Sequence, residues 1–547
     1  MRLLTALLGA IFFFTANSAA PENAEPGLNI LLLTVDSFRP ERLGCYGAGF
    51  AHTPNIDRLA RRGVTFTRAY STAAWTNPSL VSMLTGLYPS VHGVQRRGMS
   101  VPEEWVTPLE LFREAGYLVP EINYLFPTPN YRNLGFTPNR IRDVSEFLIA
   151  YQDTAFFAWH HFHGPHLPYN PPEKYLKMFL PAEAEKIGGI KVVLGNTIIP
   201  RGERVFTPAE RELVSALYNA EVAAQDEELG RVLDTLDSLG LAGNTIVILS
   251  ADHGEELFEH GWLGHASTSL NGTLYEELIH IPLIISLPSR LGTNTRVNSL
   301  VQSVDLIPTL FDLLGLELPF PCQGTSLKNL LTGTGATLPA REQIFCETSV
   351  CGYQCPDSED VTWLRTVSDG HTKLIETLAP GQIPRFAFFD LDSDAEERRD
   401  LARGSNDQLI RLQGRLAAQV FRNQRLAQAL DKSFSPGRAA GEAVEHTRRI
   451  EIVFPAEGEI ITHSAHEGRV PVSWTGQEGA KYIIEYVVGS GKYYLKGSFP
   501  VRGSGETFGP FNPVFWSAFP RYNPWRFRVV PKGKPELASR WRAFAFK

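Results

Sequence analysis

The chain has 547 residues, 43% of them hydrophobic and 20% charged, with 52 Lys plus Arg against 59 Asp plus Glu for a net charge of −7. This length can bury several cores. The acidic balance excludes the broad cationic surface that nucleic acid requires, while leaving room for a local positive pocket. In chain order, residues 1–20 read first, as a secretory signal peptide: Arg2 gives the positive start, residues 3–14 the apolar stretch and Ser18-Ala19-Ala20 a small-residue exit. An uncleaved anchor competes with that reading, but the apolar run is too short to span a bilayer and none comparable recurs. The expected product is a periplasmic or secreted protein without stable membrane insertion, and loss of Arg2 takes its charge to −8.

Residues 28–35 form a continuous apolar run ending in Asp36, the pattern of a buried parallel strand whose tip carries function. A helix is predicted over 54–62, followed by a helix at 107–115, a strand at 155–162, a helix at 207–239, strands at 244–250 and 281–287, and a helix at 304–314. Residues 26–340 are therefore expected to build an α/β domain around a mostly parallel, two-sided sheet. Short antiparallel strands at 344–348, 362–367, 372–376 and 385–391, then a helix at 406–430, mark a smaller α+β subdomain over 341–430. Small and polar residues make 431–447 a linker. Beyond it, 448–547 carries short alternating runs at 450–454, 470–474, 482–487, 493–499 and 525–530, fitting an immunoglobulin- or fibronectin-like β-sandwich. Its Trp474, Tyr486, Trp516 and Trp525 are expected in the core rather than on a ligand platform. Cys45 stands alone. Cys322, Cys346, Cys351 and Cys355 lie in one stretch, where one or two disulfides near a domain rim are favoured over a redox or metal site.

Three places carry chemistry. Thr76-Asn77-Pro78-Ser79 opens a short helix that closes at Gly86, and a hydroxyl there meets free backbone N–H groups and the positive end of the helix dipole. Such a position stabilises an alkoxide and the anionic ester it would attack, although by itself it is also an ordinary helix cap. Asp36 and the run Asp252-His253-Gly254-Glu255 each follow an apolar strand, so they can converge at strand tips, where a metal needs several hard or borderline ligands. His160, His161, His163 and His166 fall within seven residues after a third apolar strand, too dense for ordinary core packing.

The run from Thr76 through Leu84-Thr85-Gly86-Leu87-Tyr88-Pro89 to His92-Gly93 resembles the signature of the sulfatase and alkaline-phosphatase superfamily. So do Ser250 to Glu255 with Glu259-His260-Gly261 and Gly264-His265, the block from His161 to Tyr169, and Phe389-Asp390-Leu391 with Arg399 to Ala402. The resemblance covers roughly residues 28–402 and implies an alkaline-phosphatase/sulfatase-like α/β sandwich. It implies one divalent metal held by Asp36, Thr76, Asp252 and His253. His161, His166 and His265 would bind the ester's anionic oxygens, with His166 or His265 protonating the leaving group. A second metal on those three histidines is an alternative, weakened by the lack of an apparent carboxylate. With imidazole and few carboxylates, manganese or zinc is favoured over calcium.

Two departures from the signature matter. Thr76 stands where sulfatases carry the cysteine that becomes formylglycine, and Leu80 where they carry arginine. Threonine cannot yield the aldehyde, so no formylglycine is expected. An O-phosphothreonine can be cleaved by water or passed to another alcohol, whereas an O-sulfothreonine must be broken by attack at sulfur. The sequence thus points first to a metal-dependent phosphoester hydrolase or phosphotransferase acting on a small-molecule, lipid or glycan ester. A sulfatase is the alternative. A non-catalytic anion- or glycan-binding relative, with the C-terminal sandwich contacting a glycan or protein, is the third reading.

Overall fold

A computed structural model describes residues 27–180, 206–269, 272–333, 341–355, 361–403 and 406–433, together with strand segments between 452 and 546. The leader-like residues 1–20 and residues 434–447 of the expected linker lie outside this set.

The central sheet holds β1 (Asn29–Val35), β2 (Val64–Tyr70), β3 (Phe157–Phe162), β4 (Thr245–Ala251), β7 (His280–Ser286), β8 (Thr295–Val297) and β9 (Val301–Gln302), in the order β3-β1-β4-β7-β2-β8 with β9 also on β2. Every residue of β1 and of β4 is buried, which is why both read as unbroken apolar runs. β1 pairs in parallel with β3 and with β4, whereas β7 runs antiparallel to both β4 and β2. The sequence reading foresaw a strand at 281–287 but not its direction, and it missed β2, whose alternating VTFTRAY pattern is no longer than a loop-like stretch. A two-stranded hairpin of β5 (Glu256–Leu257) and β6 (Leu263–Gly264) follows β4.

Helices flank the sheet. The longest, Pro208–Ser238, starts in a capping box of Thr207 and Glu210 and packs on the helices Pro54–Arg61, Val144–Ala150 and Glu173–Phe179. Its buried Asp226 accepts from the backbone N–H groups of Asn55 and Ile56, capping the Pro54–Arg61 helix from a distant part of the chain.

A second sheet, β10 (Ile344–Ser349), β11 (Trp363–Ser368), β12 (Thr372–Leu378) and β13 (Arg385–Asp390), is antiparallel throughout. The helix Asp407–Ser433 packs on β11 and β12 and runs three residues into the stretch expected as linker. A buried ion triad ties this sheet to the first domain: Lys373 Nζ lies 2.9 Å from Glu397 and 3.1 Å from Glu276. Of the cysteines, Cys351 and Cys355 form a disulfide, while Cys45, Cys322 and Cys346 are free thiols.

The C-terminal residues form two further sheets. One contains β14 (Ile452–Phe454), β16 (Val470–Trp474) and β19 (Gly505–Phe508). The other contains β15 (Glu459–Ile461), β17 (Lys481–Ser490), β18 (Tyr493–Arg502), β20 (Trp525–Pro531) and β21 (Arg542–Phe546). Trp474 is buried against Tyr482, a core position as expected, and Trp516 lies outside the described residues. Among the described residues this region is β-strand in two sheets, and the immunoglobulin- or fibronectin-like fold stays an expectation from sequence.

Candidate active site

Because β1 and β4 are parallel neighbours, their C-terminal ends deliver Asp36 and Asp252 side by side. The loop carrying Asp36 is held from several directions. Ser37 sits at φ 57°, its Oγ donates to Asp36 Oδ1 at 3.0 Å, and Tyr218 of the long helix donates to its carbonyl at 2.6 Å. Asp252 Oδ1 accepts from the backbone N–H groups of Ser37 (3.2 Å) and His253 (2.7 Å), leaving Oδ2 to face the site. The turn after Asp252 depends on Gly254: a Cβ there would lie 2.0 Å from the Glu277 carbonyl oxygen. Gly164 packs as closely, since a Cβ there would lie 2.5 Å from the Asp36 carbonyl oxygen.

The helix Thr76–Thr85 brings Thr76 to this point. Its first turn is anchored by Ser79, whose hydroxyl, like that of Ser71, donates to the Asp252 carbonyl. Thr76 Oγ1 then lies 3.4 Å from His253 Nε2. Leu80 is fully buried in the main core.

His253 donates from Nδ1 to the Gly254 carbonyl at 2.7 Å, so its Nε2 lone pair is the one presented, 3.5 Å from Asp36 Oδ1 and 3.4 Å from Asp252 Oδ2. Burial and the neighbouring His265 hold His253 well below the usual imidazole range, so it is neutral and able to bind a cation. For Asp36, burial raises the carboxyl pKa, but His166, His161 and His253 together outweigh it and keep the group ionised. Burial and then the Asp36 charge push Asp252 well up. Two buried carboxylates this close repel until a cation stands between them.

Asp36, Asp252 and His253 offer ligand atoms all within 4.8 Å of one another, and no other group of this kind occurs among the described residues. Asp252 Oδ2 is buried without a hydrogen-bond partner. A neutral imidazole, two carboxylates and an adjacent hydroxyl fit a divalent metal.

The remaining histidines separate. His265 is buried, with Nδ1 2.7 Å from Glu255 Oε1, and Glu255 Oε2 accepts from Tyr169 at 3.3 Å. Burial pushes Glu255 up to about 8 and His265 down to about 3. The Glu255 hydrogen bond at Nδ1 fixes the His265 ring, with Nε2 on the side away from Glu255. The His265 ring stands 4.4 Å from that of His253 and 5.0 Å from that of His166. His166, half-buried, donates from Nδ1 to the Leu167 carbonyl. His161 is fully buried and points elsewhere: its Nε2 lies 3.5 Å from Asp36 Oδ2 and 3.8 Å from Asp252 Oδ2. The three histidines thus do not form a second cluster of their own. His160 is turned to the Ile122 carbonyl, and His163 is exposed beside Tyr124.

Sequence reasoning passed over Ser71, Ser79, Tyr169 and Tyr218 as site supports and gave Glu255 no role. The signal for Glu255 was present, since it adjoins Asp252-His253-Gly254. The others become relevant only through contacts distant in sequence.

Two carboxylates and an imidazole at strand tips thus face a hydroxyl at a helix N-terminus. The profile described as Sulfatase matches residues 28–137 and 140–316, and the chain belongs to the sulfatase family. The profile of the N-sulphoglucosamine sulphohydrolase C-terminal region matches residues 259–425. Among curated relatives, an ulvan-active sulfatase of Formosa agariphila is 26% identical over 348 residues, covering 55% of this chain and 65% of that protein, so the match spans under two thirds of it. An N-acetylglucosamine-6-O-sulfatase of Bacteroides thetaiotaomicron is 25% identical, covering 59% and 74%. Human iduronate 2-sulfatase is 24% identical, covering 61% and 77%. Among solved structures, the phosphonate monoester hydrolase of Agrobacterium radiobacter superposes with TM-score 0.59 at 23% identity, covering 73% of this chain and 96% of that one. A protein solved with its substrate D-glucosamine-2-N,6-O-disulfate gives 0.56 at 21%, covering 74% and 99%. These two likenesses concern the fold. No helix among the described residues is long and apolar enough to cross a membrane.

Proposed function

We propose that this chain is an exported, metal-dependent hydrolase that cleaves a sulfate ester on a carbohydrate, using Thr76 as nucleophile. The observation that carries the reading is Thr76 Oγ1 beside His253 Nε2 at 3.4 Å, at the mouth of the Asp36–Asp252 cluster. The substrate class follows the named relatives, which are mostly sulfatases. The sequence reading placed phosphate esters first, and the relatives favour its alternative. The phosphoester reading stands second, supported by Thr76 itself, which as a plain alcohol forms no aldehyde hydrate.

Asp36, Asp252, His253 and Thr76 would hold the metal, which when bound supplies positive charge that lowers the Thr76 hydroxyl pKa and offsets charge on the ester. Thr76 Oγ, its proton released to solvent, attacks sulfur (or phosphorus), forming the new S–O (or P–O) bond as the bond to the leaving alcohol breaks. His166, half-exposed at the mouth, gives that alcohol its proton. Water then attacks the same centre, its proton passing to His166, and Thr76 Oγ leaves and takes a proton back from solvent, restoring the hydroxyl. Throughout, His265, its ring fixed by Glu255, contacts a non-bridging oxygen through Nε2.

A panel of matched sulfate, phosphate monoester and phosphodiester substrates, including a sulfated hexosamine, tests the proposal. We expect the highest kcat/KM on a sulfate ester and a fall of at least about a thousandfold in Thr76→Ala. Faster turnover of phosphate esters would transfer the assignment to the second reading. Metal-loaded protein that turns over no ester would favour a binding role.

A further inference from the structure

His161 does not take the place expected of a substrate-binding residue. It is wholly buried, and its Nε2 has no hydrogen-bond partner although it faces two carboxylates. The separations of 3.5 Å to Asp36 Oδ2 and 3.8 Å to Asp252 Oδ2 exceed a hydrogen bond of about 2.7–3.2 Å. They approach the roughly 3.0–3.5 Å between neighbouring ligands that each sit about 2.1 Å from one ion. The atom opposite, Asp252 Oδ2, is likewise buried and unpartnered.

The other side of the ring explains the orientation. His161 Nδ1 lies 2.8 Å from Thr34 Oγ1, and Thr34 Oγ1 already accepts from Trp159 Nε1 at 2.9 Å. With a proton on Nδ1, Thr34 Oγ1 accepts from the ring as it does from Trp159. In that arrangement Nε2 presents a lone pair to the carboxylates. Meanwhile Ser37, next to Asp36, spends its hydroxyl on Asp36 Oδ1 and brings no charge of its own.

We infer that His161 Nε2 is a further protein ligand of the metal, and that Thr34, held by Trp159, is the positioning residue that anchors its ring. The inference rests on the metal centre assigned above and adds a second imidazole to it. Two imidazoles and two carboxylates suit zinc or manganese over calcium.

The test uses metal-free full-length protein titrated with zinc in competition with a chromophoric chelator, and the cobalt(II)-substituted protein examined by proton NMR. In the cobalt protein each bound histidine contributes one strongly shifted, exchangeable ring N–H signal. Wild type should show two, from His253 and His161. His161→Gln should show one and bind zinc at least about a hundredfold more weakly, with far-UV circular dichroism unchanged. Thr34→Val should keep both signals, shift one of them, and weaken zinc about tenfold. If His161→Gln will not fold, the Thr34→Val shift decides. An unchanged zinc affinity and two signals in His161→Gln would overturn the inference, as would a single signal in wild type or an unaltered spectrum in Thr34→Val. Wild type that binds no metal, or an Asp252→Asn variant that binds as well as wild type, would instead overturn the metal centre itself.

Discussion

Replacing Lys373 by Met should unfasten the antiparallel sheet from the catalytic domain in a pH-dependent way. Lys373 on β12 is fully buried and is the cation facing Glu276, at the start of the helix Glu276–Ile279, and Glu397, which also accepts from the Glu276 backbone N–H at 2.7 Å. Burial lowers the Lys373 pKa, but the two carboxylates outweigh it and raise the group to about 12. Burial pushes Glu397 up to about 8, while Lys373 outweighs burial at Glu276 and lowers it. The triad therefore holds one firm negative charge and a second that is easily protonated. Removing the cation from a buried pair costs about 3–5 kcal/mol when the partner stays charged. In the variant both carboxyls have folded values above their unfolded ones, so the folded state takes up protons and regains stability as pH falls. We expect a loss of about 3–5 kcal/mol at pH 8.5, shrinking toward about 1–2 kcal/mol at pH 5, where neutral hydrogen bonds are all that is missing. Urea unfolding followed by far-UV circular dichroism at the two pH values measures this. A penalty under about 1 kcal/mol at pH 8.5, or one that grows toward pH 5, would refute the reasoning. Adding Glu276→Gln and Glu397→Gln should recover most of the loss.

Other consequences follow from single contacts. Gly254→Ala should displace the Asp252–His253 turn, because its Cβ would lie 2.0 Å from the Glu277 carbonyl oxygen; metal content by mass spectrometry and ester turnover should both collapse while the fold survives. Thr76→Ser should retain measurable turnover that Thr76→Ala lacks, and equal rates in the two would remove Thr76 as nucleophile. Asp226→Ala should cost about 2–3 kcal/mol in urea unfolding, since its buried carboxylate caps the Pro54–Arg61 helix through two backbone N–H groups. Deleting residues 448–547 should leave kcat within about twofold on a soluble ester, as expected of a separately folded all-β unit.

What the sequence determined by itself was whatever depends on local pattern. Unbroken apolar runs announced β1, β3 and β4 because strands covered on both faces have no polar side to display. Asp36, Thr76, Asp252 and His253 were legible because each stands at a strand tip or helix start within a recognisable run. The tertiary structure alone decided relations between distant segments. The direction of β7 and the place of β2 depend on pairing partners, which an alternating or apolar heptamer does not name. Cys351 was joined to Cys355, and Cys322 and Cys346 left as thiols, by three-dimensional proximity that spacing cannot rank. The histidine block shows the division most clearly. Its density was visible in the sequence, but which ring faces solvent, Glu255 or the carboxylates follows from the register of β3 beside β1, which sets His161 against Thr34 and leaves His163 and His166 on the loop beyond.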